Sequence, residues 1–478
     1  MTDDPGATDD PAATDDPGAT YDPGATDAPA VTDDPSAPVE EWHRLHPLSA
    51  VVRAGRGVLA ILVLLLISTF GGGNNSGDLF RLGAVGVALV AGFVSWLVTR
   101  WRVEQGVLRI DSGLLRRQSQ RLPLSQVQAI DTVRPGLARV LGLTELRVRT
   151  AGAGGSSGRL AYLTDFQANL LRARLLALAH GVDQAAPPPP ERPLLTVPTG
   201  QLVASLLSSG PGLTVEALVA ALVVLGVVAP SALGPVVGAG TAVFLGSAGA
   251  LWQRFNGDYR LTVAEAPDGL RLRSGLVETS AETIPRGRVQ ALRMTEPLLW
   301  RPFGWCRVEV DLAGKATSGR QNRSARRAGR ALLPVGSHAQ AAWLIERVMP
   351  GVPPVERRPP ERARWKSPLR FRHLAWGLNE TYATTTSGRV RRVTDWVALA
   401  KVQSIRRIEG PVQRRLRLVS IHLDTAGRSV HAVIRDPDRG EGDHIMAGLP
   451  EQCRQARRRD QSARLGKGLP PLVADREG

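Results

Sequence analysis

Hydrophobic positions along this chain fall into two alternating patterns: long unbroken apolar blocks, and short runs in which apolar and polar residues take turns. Four blocks stand in two pairs. The first runs from about Ala50 to Phe70 and the second from about Leu82 to Val98. The third begins near Leu202, breaks at Ser208–Gly212 and resumes from Leu213 to Val228; the fourth runs from Ala232 to Leu251. Each approaches the roughly 20 residues that cross a bilayer core. Trp96, Trp101 and Trp252, with Arg100 and Arg254, supply the aromatic and cationic ends such helices favour. The pattern predicts four transmembrane helices in two hairpins. Small residues at four-residue spacing (Ala84, Ala88, Gly92; Gly234, Gly238, Ala242; Gly246, Ala250) predict close helix packing. Arg44, Arg53, Arg56, Arg100, Arg102, Arg254 and Arg260 flank the outer ends of the hairpins, whereas the two short turns hold almost no charge. The positive-inside rule then places both termini and all long segments in the cytoplasm. Glu216 inside the third block has two readings. One is a proton or ion ligand; the other is a head-group position, with Leu202–Leu207 along the interface and the span starting near Leu213. No second charge in a span stands ready to partner it, which favours the second.

The alternating runs recur at fixed intervals. Gly113, Gln128 and Gly152 are separated by fifteen and twenty-four residues, as are Gly275, Gln290 and Gly314, and again Gly388, Gln403 and Gly427. Each Gln follows a Val, and each closing Gly follows an Ala. An Arg recurs as Arg139, Arg301 and Arg414. The first two copies also share Pro123 with Pro285 and Gly142 with Gly304, where the third has Ala398 and Arg417. Three related domains are therefore expected, with these glycines and glutamines as structural landmarks. Before each closing Ala-Gly lies a half-buried strand, as in Val308, Val310 and Leu312 alternating with Arg307, Glu309 and Asp311. Upstream, two short strands join through a Gly turn. Downstream comes a helix, with Asp165 as expected N-cap in the first copy and Ser337 in the second. The fold class is α+β.

These motifs carry a resemblance. WHRLHPLS (Trp42–Ser49), PLSQVQAIDTV and LGLTELRVRTAG, together with the alternation of hairpin and domain, resemble the bacterial pleckstrin-homology-like (PH-like) multi-pass membrane proteins over roughly residues 42–450. The resemblance implies a β-sandwich or half-barrel of two roughly orthogonal sheets capped by a C-terminal helix. It implies no established ligand and no catalytic residue. The expected order is a disordered acidic hexapeptide-repeat tail (1–41), hairpin 1 (42–100), PH-like domain 1 (101–181), a Pro-rich linker (182–201) and hairpin 2 (202–252). PH-like domain 2 (253–350), a linker (351–365), a divergent PH-like domain 3 (366–450) and a basic tail (451–478) complete it.

Charge sharpens the picture. The net +16 hides an N-terminal segment, residues 1–41, with twelve acids and no Lys or Arg, which leaves 60 cations against 32 acids elsewhere. The hexapeptide repeat has almost nothing to bury and lacks the features of a signal peptide. A basic body calls for an anionic neighbour. The insertion KATSGRQNRSARRAGR, with Lys315, Arg320, Arg323, Arg326, Arg327 and Arg330, is a candidate contact for anionic lipid. It lacks the aromatics of a nucleic-acid platform. Cys306 and Cys453 have no ligand spacing, His43 and His46 lack further ligands, and GGSSG (Gly154–Gly158) joins two strands, where a serine nucleophile elbow needs a strand-to-helix turn. No enzyme, cofactor or metal is expected. The sequence reads as a membrane-anchored scaffold binding protein segments, sister copies or anionic lipid; the alternative is a transporter or export component using the spans and Glu216.

Overall fold

The computed structural model describes residues 98–465 apart from 105–106, 113–117, 124–126, 151–156, 181–191, 230–232, 267–268, 314–329 and 428, with a few isolated upstream positions including His43 and Arg44. The N-terminal tail and the first apolar block lie outside these residues. In the second block the described positions 86, 90, 94 and 98 are helical.

Each domain has a first antiparallel sheet, a second sheet of three strands and a closing helix. Domain 1 holds β1 (His43–Arg44), β2 (Arg100–Glu104), β3 (Val107–Ser112) and β4 (Gln118–Pro123), then β5 (Val127–Arg134), the short helix α1 (Gly136–Val140), β6 (Leu143–Thr150), β7 (Ser157–Thr164) and α2 (Asp165–His180). Domain 2 begins with β8 (Arg192–Thr196). Three helices follow, α3 (Thr199–Leu207), α4 (Gly210–Val228) and α5 (Leu233–Asp258). Next come β9 (Thr262–Ala266), β10 (Gly269–Ser274) and β11 (Thr279–Ile284). Its second sheet is β12 (Val289–Pro297), β13 (Trp305–Leu312) and β14 (Arg330–Ser337), closed by α6 (His338–Val348). Domain 3 has β15 (Ala375–Leu378), β16 (Tyr382–Ser387), β17 (Arg391–Ala398), β18 (Val402–Ile408), α7 (Pro411–Arg415), β19 (Leu418–Thr425), β20 (Ala432–Asp438) and α8 (Arg439–Leu465). A single bridge between Arg357 and Trp376 stands where the other domains have a fourth strand.

The repeat landmarks have local causes. Ladder register shifts between Val127 and Ala129, between Val289 and Ala291, and between Val402 and Ser404. The repeated Gln is therefore the bulge residue of each second sheet, where a strand must bend across the core. Gly275 and Gly388 turn the β10–β11 and β16–β17 hairpins at φ +119° and +98°, and a Cβ there would lie 1.9 and 2.0 Å from a carbonyl oxygen. Only Gly fits. Gly142 and Gly304 stand after the short helical turns at φ 66° and 61°, and Arg417 holds the same left-handed conformation at 52° in domain 3. Gly113, Gly152 and Gly314 lie outside the described residues.

The domains are strung together through their sheets. The second sheet of domain 1 and the first of domain 2 form one seven-stranded sheet, β7-β6-β5-β11-β10-β9-β8. The second sheet of domain 2 and the first of domain 3 form one six-stranded sheet, β14-β13-β12-β17-β16-β15. β5 pairs with β11 (Thr132 opposite Ala281) and β12 with β17 (Met294 opposite Thr394). These two pairs are repeat equivalents, so both junctions share one register. Cores interlock across the second junction. Trp396 of β17 belongs to the core of domain 2 with Leu292 and Trp300, and Ala291 of β12 belongs to that of domain 3 with Ile421 and Ile434.

Several expectations need correction. Among the described residues one helix, α4, is long and apolar enough to cross a membrane, so four spans are not supported. α5 runs beyond its apolar stretch into domain 2, where Asn256 Oδ1 accepts from Val277 N (2.7 Å) and Asp258 pairs with Arg307 (3.1 Å). Leu202 is buried in the core of domain 2, so α3 packs on that domain through one face, while Val203 and Leu207 on the other are exposed. The close helix approach falls at Gly240, where a Cβ would be 3.1 Å from Leu218, while Gly246 has nothing within 4 Å. The segment 182–201 is not all linker, since β8 and the start of α3 lie in it. Residues 451–465 are no tail: α8 continues to Leu465, its Cys453 and Ala456 buried in the core of domain 3. Ser337 caps α6 in a full capping box with Gln340. For α2 the same exchange links Thr164 and Gln167, and not Asp165. The Asp165 carboxylate instead meets Arg134 (3.1 Å) and the Thr144 hydroxyl.

Candidate functional site: an arginine cleft between the first two domains

Where β5 meets β11, the turn of the β10–β11 hairpin is held from both sides. On one side α5 ends against it: Tyr259 O accepts from Gly275 N (3.0 Å) and Asn256 O from Leu276 N (3.1 Å). On the other side α1 approaches so closely that a Cβ on Gly136 would lie 2.4 Å from Val277 Cγ1. Arg139 of α1 donates to Leu276 O. This fixes the turn beside a cleft of about 660 Å³, lined by Arg134, Arg139, Arg172, Arg260 and Arg273 with Thr132, Asn169, Tyr259, Ser274 and Ser280 among others. Among the described residues its lining holds no Asp or Glu. Arg134 reaches Asp165 (3.1 Å) and Thr144 Oγ1 (3.2 Å), which anchors its guanidinium at the wall. Several guanidinium groups over low-dielectric walls focus positive potential into the cleft, and their planar donor forks suit phosphate or carboxylate.

The second junction carries an ion-pair clasp along its β12–β17 pair. Arg293 of β12 forms a bidentate pair with Asp395 of β17, at 2.6 and 2.9 Å, and also donates to Ser429 O (2.9 Å). Asp311 accepts from Ser429 N and Val430 N (3.1 and 2.9 Å). A Cβ on Gly427 would meet the Asp311 carboxylate at 2.2 Å, so the repeat glycine here permits the clasp. The repeat arginine recurs as well: Arg301 donates to Arg389 O (2.5 Å), the counterpart of Leu276.

The other sequence candidates scatter. Gln290 is buried and its amide donates to Arg288 O (3.4 Å), whereas Gln403 is exposed. The side chain of Gln128 and, from the basic insertion, Lys315, Arg320, Arg323, Arg326 and Arg327 lie outside the described residues. Arg330 opens β14, 3.3 Å from Glu282 and within hydrogen-bond distance of Ser274 and Ser280. Glu216 is exposed in the second turn of α4. Cys306 and Cys453 are buried, and burial pushes the Cys306 thiol up to about 12. Among the described residues no three His, Cys, Asp or Glu side chains converge as a metal site. Sequence reading singled out Arg139 and Arg260 but not the cleft. Its arginines come from β5, α1, α2, the α5–β9 turn and β10, and only the pairing of β5 with β11 gathers them.

Half-sheet pairs closed by a helix, repeated and linked through shared sheets, define a PH-like repeat protein. The chain belongs to the bacterial PH domain family, whose model matches residues 47–179, 210–341 and 348–445. The second match starts at the first residue of α4, so the unit recognised includes a membrane-length helix with the domain that follows. No curated protein and no solved structure matches the chain.

Proposed function

We propose that this protein is a non-catalytic scaffold anchored in the cell membrane through the hairpin that the apolar helix α4 opens, its PH-like domains on the cytoplasmic face. In this reading the arginine cleft binds the anionic head group of a membrane lipid. The supporting observation is the cleft itself: five arginines, no acid, and a wall formed by Tyr259 and Arg260 next to the end of α5. In this reading α5 returns from the membrane after the apolar α4, and its end sets the cleft near the bilayer surface. Cations close to an anionic leaflet gain about 1 kcal/mol each. Lys315, Arg320, Arg323, Arg326 and Arg327 add charge of the same sign.

The test uses the full chain in neutral detergent. Short-chain phosphatidylglycerol is expected to raise the thermal unfolding midpoint by several degrees, with short-chain phosphatidylcholine giving no rise. The double variant Arg260→Ser/Arg273→Ser is expected to lose that rise while keeping its lipid-free midpoint. An equal rise with the neutral lipid, or a rise that survives the double variant, removes the cleft from the function.

A further inference from the structure

We propose that copies of this chain join end to end, with β18 of one copy pairing with β4 of the next. The inference rests on strand edges, so it stands or falls independently of the lipid reading.

The chain already contains this interface twice. In both junctions the bulged first strand of a second sheet pairs antiparallel with the last strand of the next domain's first sheet, in one register. In both, the repeat arginine clasps a carbonyl in the next domain's Gly turn, Arg139 on Leu276 O and Arg301 on Arg389 O. Among the described residues, domains 3 and 1 present the same two halves without each other. β18, the counterpart of β5 and β12, is the terminal strand of the sheet β18-β19-β20. β4, the counterpart of β11 and β17, is the terminal strand of the sheet β1-β2-β3-β4. Exposure follows the difference at the edge position: Ala291 of β12 is fully buried, while its counterpart Ser404 is exposed, as are Arg406, Arg407 and Ile408 of β18. Gln118, Ser119 and Arg121 of β4 are exposed too. Arg414 is exposed and, among the described residues, its guanidinium makes none of the contacts of Arg139 and Arg301.

Transferring the shared register places Arg407 opposite Ser119, Arg406 opposite Gln120 and Ile405 opposite Arg121 of the second copy. No like charges oppose each other. β18 lacks the proline that closes many natural edges, and Pro123 sits at the last residue of β4, where proline is tolerated. Because the two surfaces differ, the contact is heterologous: it closes a ring or extends a filament. Any exposed edge invites a strand, but the register and the waiting arginine fit a further repeat of this family, and this chain carries one at its own start.

The experiment uses full-length protein in detergent, with two single variants, Ser119→Cys and Arg407→Cys. Cys306 and Cys453 are buried and stay silent. Under mild oxidation the mixture is expected to form an intermolecular disulfide, which neither variant forms alone. Arg407→Cys mixed with Gln120→Cys, on the opposite face of the strand, is expected to form none. Mass measurement across a dilution series is expected to show dimers and longer species of the unmodified chain. Arg414→Ala is expected to weaken that association by about tenfold, the scale of one charged hydrogen bond, with an unchanged denaturation midpoint. A chain that stays single at every concentration overturns the proposal. So do cross-links between two copies of β18, association indifferent to Arg414→Ala, or a foreign protein found seated on β18.

Discussion

β12 and β18 are the same strand of the repeat in two surroundings. β12 is flanked on both edges, by β13 and β17, and its Arg293 and the nearby Asp311 of β13 are committed to the next domain. β18 has a partner on one edge only. Arg406 and Asp424, the repeat counterparts of Arg293 and Asp311, have turned to each other at 2.6 and 3.0 Å. Arg406 holds the Asp424 carboxyl below the usual carboxylate range. The same two side-chain types thus clasp a neighbouring domain at β12 and form a local, solvated pair at β18. Among the described residues β18 has no second partner strand, and these two side chains satisfy each other.

The largest expected effect contrasts the two pairs. Asp395→Ala leaves Arg293 without its bidentate partner beside a carboxylate site that is 8% exposed. Breaking a buried pair in this way costs roughly 3 kcal/mol. Asp424→Ala removes an exposed pair, and its denaturation midpoint is expected to match that of the unmodified chain. Chemical denaturation of both variants checks the contrast; equal losses would mean that the second junction contributes no more than a surface contact.

A smaller effect separates the bulge residues. Gln290 is 5% exposed and its amide donates to Arg288 O, while Gln403 at the same repeat position is exposed. Gln290→Ala is expected to lower stability by roughly 1 kcal/mol. Gln403→Ala is expected to leave it unchanged in the single chain. Loss of stability in both would show that the amide serves the bulge itself, independent of the neighbouring domain.

The sequence carried the periodic part of this architecture. Period-two alternation located β13 and β19, fixed spacing located the three copies, and the repeat positions turned out to be turns, bulges and clasps. What it could not carry was pairing between copies. The Gln spacing says that three bulges exist, but not that β5 lies beside β11, because strand-to-strand neighbours leave no periodic mark. The arginine cleft was hidden for the same reason. Its arginines run from Arg134 to Arg273 in sequence, and no two of them are adjacent. The helix boundaries misread at α3 and α8 have another cause. Leu202 and Cys453 sit in stretches that look membrane-like or tail-like by composition, yet each is buried in a domain core.

The third copy was expected to diverge where Arg417 replaces the glycine of the first two. The backbone there does not diverge. Arg417 has φ 52°, against 66° at Gly142 and 61° at Gly304, and its carbonyl accepts from Arg439 N (2.9 Å) at the start of α8. An L residue in this left-handed region is crowded by its own Cβ, at a cost of order 1 kcal/mol. Neighbouring contacts hold it there: Gln413 of α7 is buried and donates to Ser420 Oγ and Asp436 Oδ1 (2.8 and 2.7 Å), which pins the turn on β19 and β20. Arg417→Gly relieves the crowding without touching those bonds, but it frees the unfolded chain at that residue. Glycine's extra unfolded freedom offsets part of the relief, so a net gain of about 0.5 kcal/mol is expected. Thermal unfolding of the variant reads it as a small upward shift. A downward shift would mean that the Arg417 side chain itself stabilises the turn, and that the third copy has replaced the glycine with a contact of its own.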